Sequence, residues 1–295
     1  MIKIGIIGTE NSHAMAFAKY FNLPDETTGK VPYEGMRVTA VMGSAESAQS
    51  VVDKTGVEQI CRSAEEMAQI VDAVMVVNQK GSAHYANALP FVERGMPIFV
   101  DKPFTSNVAE AEDLYAKIEK YGAKVMGGSG CKYESGILET AELVKKLRQE
   151  GTFVSAAMNF IMIMDSEHDG IYFYAPHLVE MGLAAFGYDV KAVQAVRTGG
   201  SMIAVFQYEN DAVTLHFNRD GLKYGTMIYT TKDYQCVDTG IDIFNIYNTY
   251  ALEAGLFAQM ILGEKEPLDK QKLLKPVQVV AALEESLKSG KMVQL

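Results

Sequence analysis

The stretch MIKIGIIGTENSHAMAFAKYFNL, residues 1–23, decides the fold. Ile2–Gly8 is an apolar run that ends in glycine, and Asn11–Leu23 has a helical pattern. A short strand that closes on glycine and feeds straight into a helix opens a parallel, doubly wound sheet. With one lysine and so short an apolar run, the start reads as a first strand and not as a signal peptide.

Outward from this stretch the alternation continues. Met36–Met42 is β-like and Ala45–Lys54 helical; Val71–Val77 is a buried strand by its valines, and Ser82–Arg94 a helix closed by Gly95. Pro97–Val100, the helix Val108–Tyr121 stopped by Gly122, and the strand Lys124–Met126 complete the series. Strands alternating with helices of about 10–15 residues are βαβ units. Runs apolar on both faces, such as VDAVMVV, suit a parallel sheet better than an antiparallel one. Asn22–Gly35, with Pro24, Gly29, Pro32 and Gly35, reads as a surface loop.

The second half differs. Glu139–Gln149 is a helix ended by Gly151, Phe153–Met164 is strand-like, and Pro176–Phe186 is a helix with proline in its first turn. From Val190 to Val237 come strand-like runs without a long helix: VKAVQAV, MIAVFQY, AVTLHF and GTMIYTT. They predict a mostly antiparallel sheet. Two helices follow, Asn245–Leu262 and Lys270–Ser289, with Pro276 starting or kinking the second. GGSG at Gly127–Gly130 permits a hinge. The expectation is an α/β chain: a Rossmann-type dinucleotide-binding domain over residues 1–128, and an α+β substrate and oligomerisation domain over 129–295.

Composition fits this reading. The chain has 295 residues, 48% hydrophobic and 22% charged, which excludes extensive disorder. No apolar run reaches the roughly 18–20 residues of a membrane span. The net charge of −10 argues against nucleic acid and anionic membranes as partners. Cys61, Cys131 and Cys236 are too scattered for a disulfide framework or a zinc motif, so the default location is cytoplasmic.

The first turn departs from the usual G-x-G-x-x-G. Gly8 fits it, while Glu10 holds the second glycine position and His13 the third. Thr9, Asn11 and Ser12 complete the turn. A carboxylate at the second position, aimed at a pyrophosphate 4 Å away, costs up to about 4 kcal/mol at an effective dielectric of 20. Asn11 or Ser12 caps the helix, with or without a phosphate beside it. Where an acid commonly binds the ribose, Gly43-Ser44 stands instead. NAD and NADP both remain open as cofactors.

Three segments in order, Val76-Val77-Asn78 with Ala83-His84, Val100-Asp101-Lys102-Pro103, and Tyr174-Ala175-Pro176-His177-Leu178-Val179-Glu180, resemble the Gfo/Idh/MocA family of NAD(P)-dependent oxidoreductases. The likeness runs to the closing Gly290-Lys291-Met292-Val293. Asp101-Lys102-Pro103 looks like the family's E-K-P motif, which implies that Lys102 sits by the nicotinamide and the substrate hydroxyl, with Pro103 in a cis bond. A cation there stabilises developing alkoxide charge as hydride leaves. His177 and Glu180 match the histidine and last acid of a D-x-G-x-H-x-x-D motif. Phe173 stands where its first aspartate would, and Ala175 where its glycine would. The resemblance implies catalysis by Lys102 and His177. It implies a cofactor site of Gly8, Thr9, Glu10, Asn11, Ser12, His13, Ser44, Asn78, His84, Asp101 and Lys102. The substrate would meet Lys132, Tyr133, His168, Tyr174, His177 and Glu180, and a homo-dimer or tetramer would form through the C-terminal sheet. His84, a lone residue at a helix start, reads as structural rather than catalytic, and the plain alternative for His177 is a satisfied core histidine.

The activity expected is hydride transfer between a nicotinamide cofactor and a sugar, polyol or sugar-like acid. The alternative is a dehydrogenase-like protein that binds ligand without redox chemistry, motivated by Glu10, His13, Gly43 and Phe173. Asp165, Glu167, His168 and Asp169 match no compact metal motif, so no metal is expected.

Overall fold

The computed structural model describes residues 1–221, 223–242 and 246–295. Two compact units emerge: Met1–Gly128 with Tyr247–Leu273, and Ser129–Ile246 with Leu274–Leu295. The single cut expected at 128/129 differs from this division, because residues 247–273 return to the first unit. The physical reason is in the apolar face of that segment, which packs on the first unit's aromatic residues.

In the first unit the chain runs β1 (Ile2–Ile7), α1 (Ser12–Asn22), β2 (Met36–Met42), α2 (Ala45–Thr55), β3 (Gln59–Ile60), α3 (Ala64–Met67) and β4 (Ala73–Val76). A 3-10 turn at Gly81–Ala83 leads to α4 (His84–Val92), then β5 (Ile98–Asp101), α5 (Val108–Tyr121) and β6 (Val125–Gly128). The six strands lie in the order β3-β2-β1-β4-β5-β6, all parallel. That is the doubly wound order, with its reversal between β1 and β4. β4 and β5 are buried throughout, as a sheet covered on both faces requires.

The second unit holds α6 (Ser135–Gln149), β7 (Phe153–Ile161), α7 (Ile171–Phe186), β8 (Ala192–Thr198), β9 (Ser201–Gln207), β10 (Ala212–Asn218), β11 (Gly225–Thr230) and β12 (Tyr234–Asp238). The first unit's returning helix is α8 (Tyr247–Leu262); α9 (Lys270–Ser289) and β13 (Val293–Gln294) end the chain. Asn245, where α8 was expected to begin, lies outside the described residues. The second sheet runs β12-β11-β7-β10-β9-β8-β13, with β7 and β10 parallel and the other neighbours antiparallel. One sheet face (Met158, Phe160, Ala204, Phe206, Leu215, Phe217) is core, with α6, α7 and α9 against it. Ile203, Val196, Met227, Tyr229 and Tyr234 are exposed. The predicted helix start at Pro176 is corrected: α7 begins at Ile171 and Pro176 lies inside it. The buried stripe of Ile171, Ala175 and Leu178 extends the helix by more than a turn, outweighing the one backbone bond that proline removes.

Returning α8 sets Phe257 against Phe99 of β5 at 6.1 Å between ring centroids, and Tyr250 against Phe17 of α1 at 6.3 Å. Among the described residues no helix is long and apolar enough to cross a membrane.

Candidate functional site

In the first unit, the β1–α1 turn is built around Gly8. Its φ of +106° is open to glycine, and a Cβ there would lie 2.5 Å from the backbone nitrogen of Asn78. The ends of β1 and β4 therefore meet without side chains between them. Asn11 caps α1, its side chain accepting from the His13 backbone N–H. The same amide works inward: Asn11 Nδ2 donates to the Val77 carbonyl at 2.8 Å and to Asp101 Oδ2 at 3.2 Å. Asn11 Oδ1 lies 3.0 Å from His13 Nδ1. Of the two cap candidates Asn11 and Ser12, Asn11 is the N-cap. Ser12 Oγ lies 2.9 Å from the hydroxyl of Tyr250.

Asp101 ends β5 and is 1% exposed; its Oδ1 also accepts the Lys102 N–H at 2.7 Å. His13 Nε2 faces Asp101 Oδ1 at 3.8 Å and Glu253 Oε2 of α8 at 3.5 Å. Burial pulls the His13 imidazole down, but Asp101 and Glu253 outweigh it and its pKa is raised. His13, Asp101 and Glu253 each place a ligand-type atom within 4.8 Å of the others. With the Lys102 charge beside them opposing a second cation, a proton on His13 is the occupant that this space favours. Glu253 escaped sequence reasoning; the signal was a single carboxylate inside the apolar run of α8.

Lys102 is 6% exposed, and the Lys102–Pro103 bond is cis, as the resemblance implied. His84 is fully buried, with Nδ1 at 2.7 Å from the Pro103 carbonyl and Nε2 at 2.9 Å from that of Asn78. Burial holds its pKa down despite Asp101 and the two carbonyls. It ties the loop after β4 to the loop after β5, which is a structural role.

Glu10 turns toward the loop after β4. Its Oε1 accepts from Asn78 Nδ2 at 3.1 Å and the Gln79 N–H at 3.4 Å, while Asn78 Oδ1 accepts from Asn87. Ser44 caps α2, and Ser47 Oγ lies 2.8 Å from Ser44 Oγ and 2.7 Å from Thr9 Oγ1. A Cβ at position 43 would stand 1.9 Å from Thr9 Oγ1, so the room for an acid there is filled by Thr9.

The second unit carries the other predicted residues. Lys132 Nζ donates to Glu180 Oε2 at 2.7 Å, with the two side chains 4% and 3% exposed. Burial pulls the Lys132 ammonium down, yet the Glu180 carboxylate more than offsets this and its pKa is raised. The two charges thus hold each other in a buried pair. Lys132 also lies over the Tyr133 ring at 5.1 Å. Glu180 Oε2 accepts the Ser129 N–H at 3.0 Å, and Ser129 Oγ lies 2.8 Å from His177 Nδ1. His177 is half-buried, one helical turn from Glu180 on α7, with Phe160 at 5.8 Å and Tyr174 at 6.0 Å between ring centroids. His168 lies against Phe173, ring centroids 5.0 Å apart and tilted by 53°, and its Nδ1 has no hydrogen-bond partner among the described residues.

Residues 2–129 match an oxidoreductase family described as having an NAD-binding Rossmann fold. No curated protein matches the chain in sequence. Among solved structures, the myo-inositol dehydrogenase of Lactobacillus casei, in complex with NAD(H) and myo-inositol, is 17% identical with a TM-score of 0.81; the match covers 100% of this chain and 97% of that one. A probable dehydrogenase from Thermotoga maritima is 14% identical with a TM-score of 0.80, covering 99% of both chains. An oxidoreductase from Agrobacterium radiobacter, in complex with NAD+, L-tartaric acid and magnesium, is 14% identical with a TM-score of 0.76, covering 99% of this chain and 98% of that one. These are likenesses of fold.

Proposed function

We propose, from the premise that residues 2–129 belong to the Gfo/Idh/MocA family of oxidoreductases, that this chain moves hydride between a nicotinamide cofactor and an alcohol or carbonyl carbon of a sugar, polyol or sugar-like acid. The observation that carries the reading is Lys102: a buried cation at the carboxyl end of β5, on the sheet edge where doubly wound folds bind ligands. When bound, the nicotinamide supplies a hydride acceptor or donor. Lys102 stabilises the charge that develops on the substrate oxygen, and His177 exchanges a hydrogen with that oxygen. The Gly8 turn, at the N-terminus of α1, suits a pyrophosphate; Glu10 is the residue that opposes it. The expected location is cytoplasmic, and the expected assembly is a homo-dimer or tetramer through the exposed face of the second sheet.

One observation favours a second reading, a ligand-binding protein without redox chemistry. Glu10 spans the ends of β1 and β4, where the pyrophosphate would lie. Calorimetric titration with NADH and NADPH separates the two. Micromolar binding of either, with turnover of a polyol lost at least about a hundredfold in Lys102→Ala and cofactor binding retained, supports the oxidoreductase. No binding up to millimolar cofactor, in wild type and in Glu10→Gln alike, selects the second reading.

A further inference from the structure

The Ser129 hydroxyl beside His177 carries a hydrogen where a carboxylate would carry none. A carboxylate only accepts, so it fixes the proton of a neutral imidazole on the nitrogen facing it. Ser129 Oγ is 2.8 Å from His177 Nδ1, and among the described residues the Ser129 hydroxyl has no other hydrogen-bond partner. A second X–H group, the Cys131 thiol, has its sulfur 3.9 Å from the same nitrogen. The Ser129 hydroxyl decides: buried and with no other acceptor among the described residues, its hydrogen is satisfied by donating to Nδ1.

Ser129 is held to this task. It is 1% exposed, and its backbone N–H is fixed by Glu180 Oε2, which the buried Lys132 ammonium holds in turn. Lys132 and Ser129 are also linked through the turn itself, the Lys132 N–H donating to the Ser129 carbonyl at 3.3 Å. The buried ion pair thereby positions the Ser129 hydroxyl against His177, which lies one helical turn from Glu180 on α7.

We propose that Ser129 is a positioning residue that holds neutral His177 as the Nε2–H tautomer. His177 then offers its Nε2–H to an acceptor oxygen of the ligand, a ketone or a carboxylate, and gives that proton up to a reduced oxygen only once Nδ1 has taken a proton from solvent, so that the ring ends neutral. A neutral imidazole can polarise a carbonyl in this way without first gaining a proton. Because the partner is uncharged, the site gains this orientation without a second buried carboxylate. The proposal rests on the oxidoreductase reading only for the use made of that hydrogen bond.

The test is long-range proton–nitrogen NMR of the histidine rings across a pH titration, with His177→Gln identifying the His177 signals. Wild type and Ser129→Thr are expected to show the Nε2–H tautomer. In Ser129→Ala, the Nδ1–H form should gain. An Nδ1–H tautomer in wild type, or a tautomer unchanged by Ser129→Ala, overturns the proposal. If Ser129→Ala does not fold, the tautomers of wild type and Ser129→Thr decide alone. With NADH and a panel of polyol-derived ketones, Ser129→Ala should lose about tenfold in kcat with KM unchanged, restored by Ser129→Thr. No turnover in wild type, with the expected tautomer, overturns the redox reading and leaves the role of Ser129 in place.

Discussion

Aspartate serves as well as asparagine at most helix N-caps, yet at position 11 it should be the worse of two substitutions. Asn11 is a cap whose amide nitrogen is also spent, on the Val77 carbonyl at 2.8 Å and Asp101 Oδ2 at 3.2 Å. Asn11→Ala removes the cap, about 1 kcal/mol. It also removes a donor to a buried carboxylate, about 1.5–3 kcal/mol, so a loss of about 3 kcal/mol is expected. Asn11→Asp keeps the capping oxygen and sets a second carboxylate against Asp101. Two charges 3.2 Å apart repel by about 5 kcal/mol at an effective dielectric of 20. The pair escapes by holding a proton, which at pH 7 costs about 4 kcal/mol for an ordinary aspartate. The His13 ring, whose proton is held tightly and whose Nδ1 lies 3.0 Å from the capping oxygen, offsets part of this. Asn11→Asp should therefore lose about 1–2 kcal/mol beyond its lost donor bonds, still a sizeable part of a typical domain stability of about 5–15 kcal/mol. The proton gives a second signature. A carboxyl pair that binds a proton more tightly when folded loses stability as pH rises, with a slope of up to about 1.4 kcal/mol per pH unit. Urea denaturation of the full chain at pH 5.5, 6.5 and 7.5 reads both effects. A stability for Asn11→Asp equal to wild type, or a flat pH dependence with Asn11→Ala the weaker protein, would refute the assignment of the amide.

His13 has its proton held more tightly in the folded state than at its ordinary value of 6.5. Its stabilising contribution is therefore complete below that value and lost as pH rises through the folded one; the urea midpoint of wild type should fall from pH 6.5 to 9, and that fall should flatten in His13→Gln. Lys132→Met should cost about 3–5 kcal/mol in thermal or urea unfolding by stranding Glu180, and adding Glu180→Leu should recover most of it, while full additivity of the two losses would contradict a coupled pair. If copies of the chain assemble through the exposed sheet face, Ile203→Lys should give monomers in sedimentation, with the melting temperature of the monomer unchanged.

The parallel sheet was legible because each of its long strands is a run of apolar residues closed by glycine or a polar turn. β3 was not: Gln59 and Ile60 are two exposed residues with no pattern to read. The allegiance of α8 was equally hidden. An apolar stripe declares that a face will be buried, and nothing in Ala254, Phe257 or Met260 says against which unit, while Leu252, which reads as part of the stripe, is exposed. At the site, Lys102 and His177 stood out by their neighbours in sequence. Their settings did not, since Asn11 meets Asp101 across 90 residues and Lys132 meets Glu180 across 48. GGSG read as a permissive hinge, while Ser129 within it is committed through both its N–H and its hydroxyl.

The return of α8 to the first unit also orders events during synthesis. Residues 1–128 leave the ribosome early, but the surfaces of Phe17 and Phe99 that meet Tyr250 and Phe257 stay uncovered until the segment ending at Leu273 follows. At about 5–20 residues per second, those further roughly 145 residues take about 7–30 s. During that interval the nascent first unit exposes aromatic surface, and Asp101 lacks the helix that brings Glu253 to His13. The second unit's first 118 residues are made while the first still waits for its last helix.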